Sequence, residues 1–214
     1  MLIDLTATLT PETPGVSWES AKDLERDGWN ARLLHLYSHS GTHMDAPRHF
    51  GCSHEIGTTI DELPLETFLG PARVIHLDVS AGELLQPVHL GELAADFVPG
   101  QALLLHTGWA AHRGNLEVFR NQLPRVSVEL ARWCVEKKVR VLGVEPPSVA
   151  DVNDLAEVTK IHEILLSGGV TIVEGLINLD QLPGEVEFTL GAFPLKIEGG
   201  DGSPCRAFAH LNSY

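Results

Sequence analysis

Residues 155–176 read LAEVTKIHEILLSGGVTIVEGL. From Leu155 to Ser167 this run predicts a helix, because Ile161, Leu165 and Leu166 fall on one apolar stripe at helical spacing. Gly168-Gly169 then offers the left-handed conformation that commonly ends a helix. Past the glycines, Val170-Thr171-Ile172-Val173-Glu174 is short and rich in β-branched residues, which suit a pleated strand. Helix, turn and strand make a unit whose two ends can converge on one point.

Working outward, strand-length apolar or alternating runs recur: MLIDLT, RLLHLYS, ARVIHLDV, QALLLHT, VRVLGVE, VEFTLGAF and CRAFAHL, bounded by Gly, Pro or Asp. A second helix is expected from Ser127, an N-cap residue, to about Lys138. Leu130, Ala131, Cys134 and Val135 form its stripe, and Lys137 and Lys138 suit the C-terminal end of the dipole. Strands outnumber helices and the helices fall late, so the class is α/β or α+β with a mixed, strand-rich sheet. At 214 residues, with no repeat and no Ser/Pro-rich linker, residues 1–214 are expected to form one domain.

The chain carries 29 acidic against 15 basic side chains, a formal charge of −14. That balance argues against binding nucleic acid, whose affinity rests on Lys and Arg neutralising phosphates, and against a polybasic membrane anchor. No apolar run approaches the ~20 residues needed to span a bilayer, and MLIDLTATLTPETPG has no basic n-region. Three cysteines without C-x-x-C spacing fit a reducing compartment, so a cytoplasmic location is expected. Of 11 histidines, five lie between His35 and His54. Imidazole is both the commonest metal ligand and the commonest acid–base near neutral pH, so function is sought there.

The densest part is His39-Ser40-Gly41-Thr42-His43-Met44-Asp45-Ala46-Pro47-Arg48-His49-Phe50. Gly41 and Pro47 oppose a helix, and in an extended segment His39, His43, Asp45 and His49 share parity. Fully extended, residues 39 to 45 would span about 20 Å, too far for ligands of one ion. The chain must therefore fold back, and Gly41 is the residue free to take the required φ. Two imidazoles and a carboxylate suit Zn²⁺ or Mn²⁺ and leave positions open for water. His35 sits inside the apolar run RLLHLY and reads as structural, and Cys52-x-His54 is too weak a pair to count as a site. There is no G-x-S-x-G elbow, and Gly199-Gly200-Asp201-Gly202 lacks the Lys-Ser/Thr of a phosphate loop and reads as a turn.

The run His39-x-Gly41-Thr42-His43-x-Asp45-x-Pro47-x-His49-Phe50 resembles the signature of the metal-dependent cyclase family, which includes bacterial kynurenine formamidases (arylformamidases) and isatin hydrolases. Gly143-Val144-Glu145-Pro146-Pro147-Ser148-Val149 is similar to the family's G-V-D-x-P-S-V segment, with Glu145 at the aspartate position. His162, twelve residues before Glu174, and Asp201-Gly202-Ser203-Pro204-x-Arg206 also match. The family's early W-P-G-D-x-P stretch is altered here: Trp18 follows Pro14-Gly15, and Trp18 and Trp29 are the aromatic residues nearby.

The resemblance implies a swivelling β/β/α fold and a first ion held by His39, His43 and Asp45. It implies a second ion held by His162, with Asp45 and Glu174 bridging, so that one or two Zn²⁺ or Mn²⁺ ions are expected per chain. His49 matches the acid–base histidine, which Pro47 is expected to hold apart from the ligands. The implied activity is hydrolysis of a carbon–nitrogen amide bond in a small carbonyl substrate, arylformamidase-like, by a homodimer or larger homo-oligomer. An isatin-type cyclic-amide hydrolase, or another small-molecule cyclase, is the alternative. A non-catalytic metal or ligand binder would use the same histidines.

Overall fold

The computed structural model describes residues 1–50, 57–184 and 186–211, so the Cys52-x-His54 pair lies outside the described residues. In chain order its strands are β1 (Leu2–Asp4), β2 (Val16–Lys22), β3 (Ala31–Leu36), β4 (His43–Asp45), β5 (Leu69–His76), β6 (Leu84–Leu85), β7 (Ala102–His106), β8 (Arg125–Val126), β9 (Val141–Val144), β10 (Thr171–Glu174), β11 (Phe188–Pro194) and β12 (Gly202–His210). The main sheet has eight strands in the order β1-β12-β11-β5-β7-β9-β10-β4. Strands β5, β7, β9 and β10 pair in parallel, and the remaining pairs of that sheet are antiparallel. Because β4 pairs with β10 on one side and β12 on the other, the sheet closes on itself as a barrel. The expected α/β class with a mixed, strand-rich sheet is thus the observed one.

Alternation along the parallel strands divides the core. Ala102, Leu104, Val141 and Val173 point into the barrel with Met44, whereas Leu103, Leu105, Leu142 and Ile172 point outward, under Leu130, Ile161 and Leu165 of the two long helices. Each such leucine or isoleucine, buried to about 1% exposure or less, contributes roughly 1.5–3 kcal/mol. The helix Leu155–Ser167 has the bounds read from sequence. Asp154 caps it by accepting from the Ala156 and Glu157 amides, and Gly169, with φ +80°, supplies the left-handed residue just beyond it. The helix Val128–Glu136 starts at its expected cap, Ser127, and stops short of Lys138, which itself takes φ +56°.

RLLHLYS forms the expected strand, β3, which pairs only with β2 in a hairpin outside the barrel, and Leu33 and Leu34 are exposed. His35 on it is exposed and lies 3.7 Å from Glu19. The expectation that the helices fall late is corrected. Short helical turns at Leu24–Asp27, Leu65–Phe68, Leu93–Asp96 and Leu116–Asn121 precede the late helices. Among the described residues no helix is long and apolar enough to cross a membrane.

Candidate metal centre

The barrel's closing strand carries the site. Gly41, at φ +65°, turns the chain into β4, and the alternation of β4 sends Met44 into the barrel and His43 and Asp45 to its outer face. The register of β10 on β4 sets Glu174 opposite His43 and Ile172 opposite Asp45, so Glu174 shares that outer face. The helix Leu155–Ser167 covers it and inserts His162, which is 2% exposed. The two ends of the helix–turn–strand unit therefore meet on one point, beneath β4.

The ring nitrogens are sorted by their backbone partners. His162 Nδ1 donates to the Val158 carbonyl at 2.8 Å, and His43 Nδ1 donates to the Gly41 carbonyl at 3.2 Å. Each therefore turns Nε2 inward. His43 Nε2 lies 3.3 Å from Glu174 Oε2 and 3.5 Å from Asp45 Oδ1, and His162 Nε2 lies 3.6 Å from both Asp45 Oδ2 and Glu174 Oε1. Neutral imidazole nitrogens and carboxylate oxygens are all acceptors there, so the cluster needs either protons or a cation between them. Asp45 Oδ2 is fully buried with no hydrogen-bond partner among the described residues. An orphaned carboxylate oxygen facing inward-turned imidazoles fits a divalent cation, and the carbonyls behind the rings are the usual orienting partners of ligand histidines.

His39 has a different setting. Its Nδ1 donates to Asp45 Oδ1 at 2.8 Å and its Nε2 to Asp201 Oδ2 at 2.9 Å. Gly202 makes room for the ring: a Cβ there would stand 2.7 Å from His39 Cε1 and 2.7 Å from the Met44 carbonyl oxygen. His49 sits in the short turn Pro47–Phe50. That turn lays His49 on His39, ring centroids 3.7 Å apart and 24° from parallel. One of its nitrogens comes within 4.8 Å of Asp45 and His162 ligand atoms.

Charge follows from these contacts. Burial pushes the His39 and His162 imidazoles down, but the facing carboxylates outweigh it: Asp45 and Asp201 through hydrogen bonds with His39, and Asp45 and Glu174 through their charge 3.6 Å from His162. They raise the two from 6.5 to about 9 and about 10. Burial also opposes ionisation of Asp45, yet the facing His162 and the hydrogen bond from His39 hold it well below the usual carboxylate range. His49 goes the other way: burial lowers it, helped by the neighbouring His39 and His162 charges, so its imidazole is neutral at pH 7.

All six residues singled out in the sequence, His39, His43, Asp45, His49, His162 and Glu174, come together here. Asp201 was missed as a participant. It was quoted only within a matching block and read as part of a turn, and no local spacing tells that its carboxylate reaches His39. The segment 143–149 has two tasks. Buried Glu145 Oε2 accepts from the Thr107 amide and hydroxyl and from the Trp109 amide, and the Val149 amide donates to Glu174 Oε1 at 2.8 Å. A cavity of about 450 Å³ opens on the cluster, lined by His39 and His43 together with Thr8, Arg113, Leu116 and Phe119 among others. Neither Trp18 nor Trp29 lines it: Trp18 lies under the Arg32 guanidinium on the hairpin, and Trp29 is exposed. Cys134 is a core residue of its helix, and Arg206 pairs with Asp4 at the surface.

Comparison with known proteins bears on the family and the fold. The Cyclase family model, described as "Putative cyclase", matches residues 3–151. A kynurenine formamidase of Salinibacter ruber is 32% identical over 216 residues, covering 96% of this chain and 95% of that protein. One of Bacillus cereus is 33% identical over 199 residues, covering 92% and 87%. Among solved structures, isatin hydrolase A from Labrenzia aggregata, bound to benzyl benzoate, superposes with a TM-score of 0.90 at 26% identity, covering 100% of this chain and 94% of its own. Isatin hydrolase A from Ralstonia solanacearum gives 0.88, also at 26%, covering 99% and 92%. The chain belongs to the Cyclase family.

Proposed function

We propose that this Cyclase-family chain, residues 1–214 acting as one domain, is a metal-dependent hydrolase of a carbon–nitrogen amide bond in a small carbonyl substrate, arylformamidase-like. The observation that carries this reading is the convergence of the His43 and His162 Nε2 atoms on Asp45 and Glu174, with Asp45 Oδ2 left without a hydrogen-bond partner among the described residues. Its kynurenine formamidase relatives, matched over nearly their whole length, support the reaction class.

His39, His43 and Asp45 would hold one ion, and His162, Glu174 and a bridging Asp45 a second. The donor set of imidazoles and carboxylates suits Zn²⁺ or Mn²⁺. Bound divalent ions supply a lowered pKa for water, toward ~7, and polarise a substrate carbonyl. His49, neutral and unshielded by any backbone carbonyl contact among the described residues, is the group that takes a proton during attack and returns it to the leaving nitrogen. Asp201 Oδ2, 3.7 Å from His49 Nδ1, favours the proton on that nitrogen and leaves Nε2 as the base. The Val149 amide fixes Glu174, and the Gly41 and Val158 carbonyls fix the His43 and His162 imidazoles, so these three ligands are oriented before an ion binds, whereas His39 must give up a proton to bind one. We further propose a cytoplasmic homo-oligomer, consistent with free Cys134 and Cys205.

The likeness to isatin hydrolases favours a second reading, opening of a cyclic amide by the same groups. Incubating the metal-loaded protein with N-formylkynurenine and with isatin, and following absorbance, separates the two. Turnover of the linear formamide supports the first reading and turnover of isatin alone the second. An inert protein would leave only a metal or ligand binder.

A further inference from the structure

Arg113 is a half-buried cation in a strongly acidic chain, yet none of the described carboxylates lies within 4 Å of it. Its Nη1 donates to the Gly175 carbonyl at 3.1 Å, and its guanidinium lies 5.1 Å from the centroid of the Phe119 ring. No other side-chain hydrogen bond to a described residue is made, which leaves Nε and Nη2 unpaired among the described residues, and Arg113 lines the cavity together with His39 and His43. Glu12, the carboxylate among the described lining residues, makes no ion pair with it.

The position is fixed from both sides. Gly175 directly follows Glu174, and its carbonyl also accepts the Thr42 hydroxyl at 2.7 Å, one residue before His43. The guanidinium is therefore anchored beside the two strands that carry the metal cluster. Its own backbone follows the turn Trp109–His112, whose start is clamped by Glu145 through the Thr107 and Trp109 amides, and Trp109 Nε1 donates to the Phe119 carbonyl at 2.9 Å. This mounts a charge that meets no counter-ion among the described residues.

A guanidinium fork with a free arm matches the two oxygens of a carboxylate. Desolvation, which lowers the Arg113 pKa, makes such pairing stronger than at an open surface. Leu116 and Phe119 add apolar surface to the cavity lining, and about 450 Å³ is enough for a small aromatic body.

We propose that Arg113 is the specificity-determining residue of this site, receiving the carboxylate of an amide substrate whose scissile group lies at the His39–His43 end of the cavity. The proposal rests on the amide-hydrolase reading and narrows it to anionic or zwitterionic amides, placing a neutral cyclic amide second.

N-formylkynurenine and N-formylkynuramine differ only by the carboxylate and serve as the probes, with Arg113→Gln and Arg113→Lys compared with the metal-loaded wild type. The wild type should favour the carboxylate-bearing amide in KM. Arg113→Gln should shrink that preference roughly 10- to 100-fold, the range for losing a hydrogen bond to a charged group, and Arg113→Lys should fall between. The ratio of two KM values within one variant does not depend on the fraction folded. Calorimetry with kynurenine and kynuramine should show the same loss of discrimination without turnover. An unchanged KM ratio in Arg113→Gln overturns the assignment. If the wild type hydrolyses neither amide, the functional reading fails, and calorimetry still decides Arg113: kynurenine bound no tighter than kynuramine overturns it.

Discussion

His43 donates one ring nitrogen to the Gly41 carbonyl and aims the other at Glu174 and Asp45, with 2% of its surface exposed. Replacing it with Ala should take from the buried carboxylates the inward-turned nitrogen nearest Glu174, and elemental analysis of His43→Ala should show near-complete loss of metal. Gly202 tests the cradle beside it. The methyl of Gly202→Ala would collide with the His39 ring and the Met44 carbonyl. Overpacking of this kind costs about 1–3 kcal/mol, seen as a lower denaturation midpoint, and displacement of His39 should weaken metal binding at the same time. His49 separates catalysis from binding: His49→Ala should keep its ions and lose roughly 10²–10⁴ in kcat/KM, the range for one acid–base group. If that variant loses its ions, His49 is a ligand. At this scale the sequence was legible where parity decides the face, as for His43 and Asp45 about Met44. It was silent on Asp201 and Arg113, because the contacts of both join segments far apart in the chain.

The helix Leu155–Ser167 and strand β10 act as one lever. The helix is seated by Ile161 and Leu165 on the outer face of the barrel, which is what brings His162 to Glu174. His162→Ala should remove at most the second ion and leave occupancy at the first, measurable as a drop in metal stoichiometry without loss of the fold. Leu165→Ala should cost about 2–5 kcal/mol by opening a cavity in that seat, and second-ion affinity should fall with it although no ligand is changed. This unit was legible because its signals agree: apolar spacing and a glycine stop both point to one helix, to which the structure adds the Asp154 cap. Strand β3 was legible as a strand but not by its place, because an apolar run has the same composition whether or not a second layer covers it. Nothing within RLLHLYS says that it leaves the barrel.

Across the whole molecule, metal, protons and stability are linked. Without ions, His39 and His162 are raised above 6.5, to about 9 and about 10. A raised imidazole stabilises the fold fully below 6.5 and loses that contribution as pH climbs through its folded value. The Tm of the metal-free protein should therefore fall between pH 7 and pH 10, where Asp45 and Glu174 stay ionised with no positive partner. Ligation requires neutral imidazole, so loading ions at pH 7 should release a proton from each of these two histidines, and apparent affinity should drop as pH falls. Calorimetry in buffers of different ionisation enthalpy reads that release; its absence would mean that neither histidine gives up a proton to the metal. The closed sheet itself was only partly legible, since strand identity follows from local pattern whereas the pairing of β4 with both β10 and β12 is a long-range fact.

The central claim is that the cluster on β4, β10 and the Leu155–Ser167 helix holds the ions on which amide hydrolysis depends. The most direct measurement is a titration of the metal-free protein with Zn²⁺ or Mn²⁺, reading bound ion and N-formylkynurenine hydrolysis in the same samples, with His43→Ala alongside. Hydrolysis should be absent without metal, rise with occupancy, saturate at one or two ions per chain, and stay absent in His43→Ala. Turnover by the metal-free protein, or full ion binding and turnover by His43→Ala, would contradict the claim.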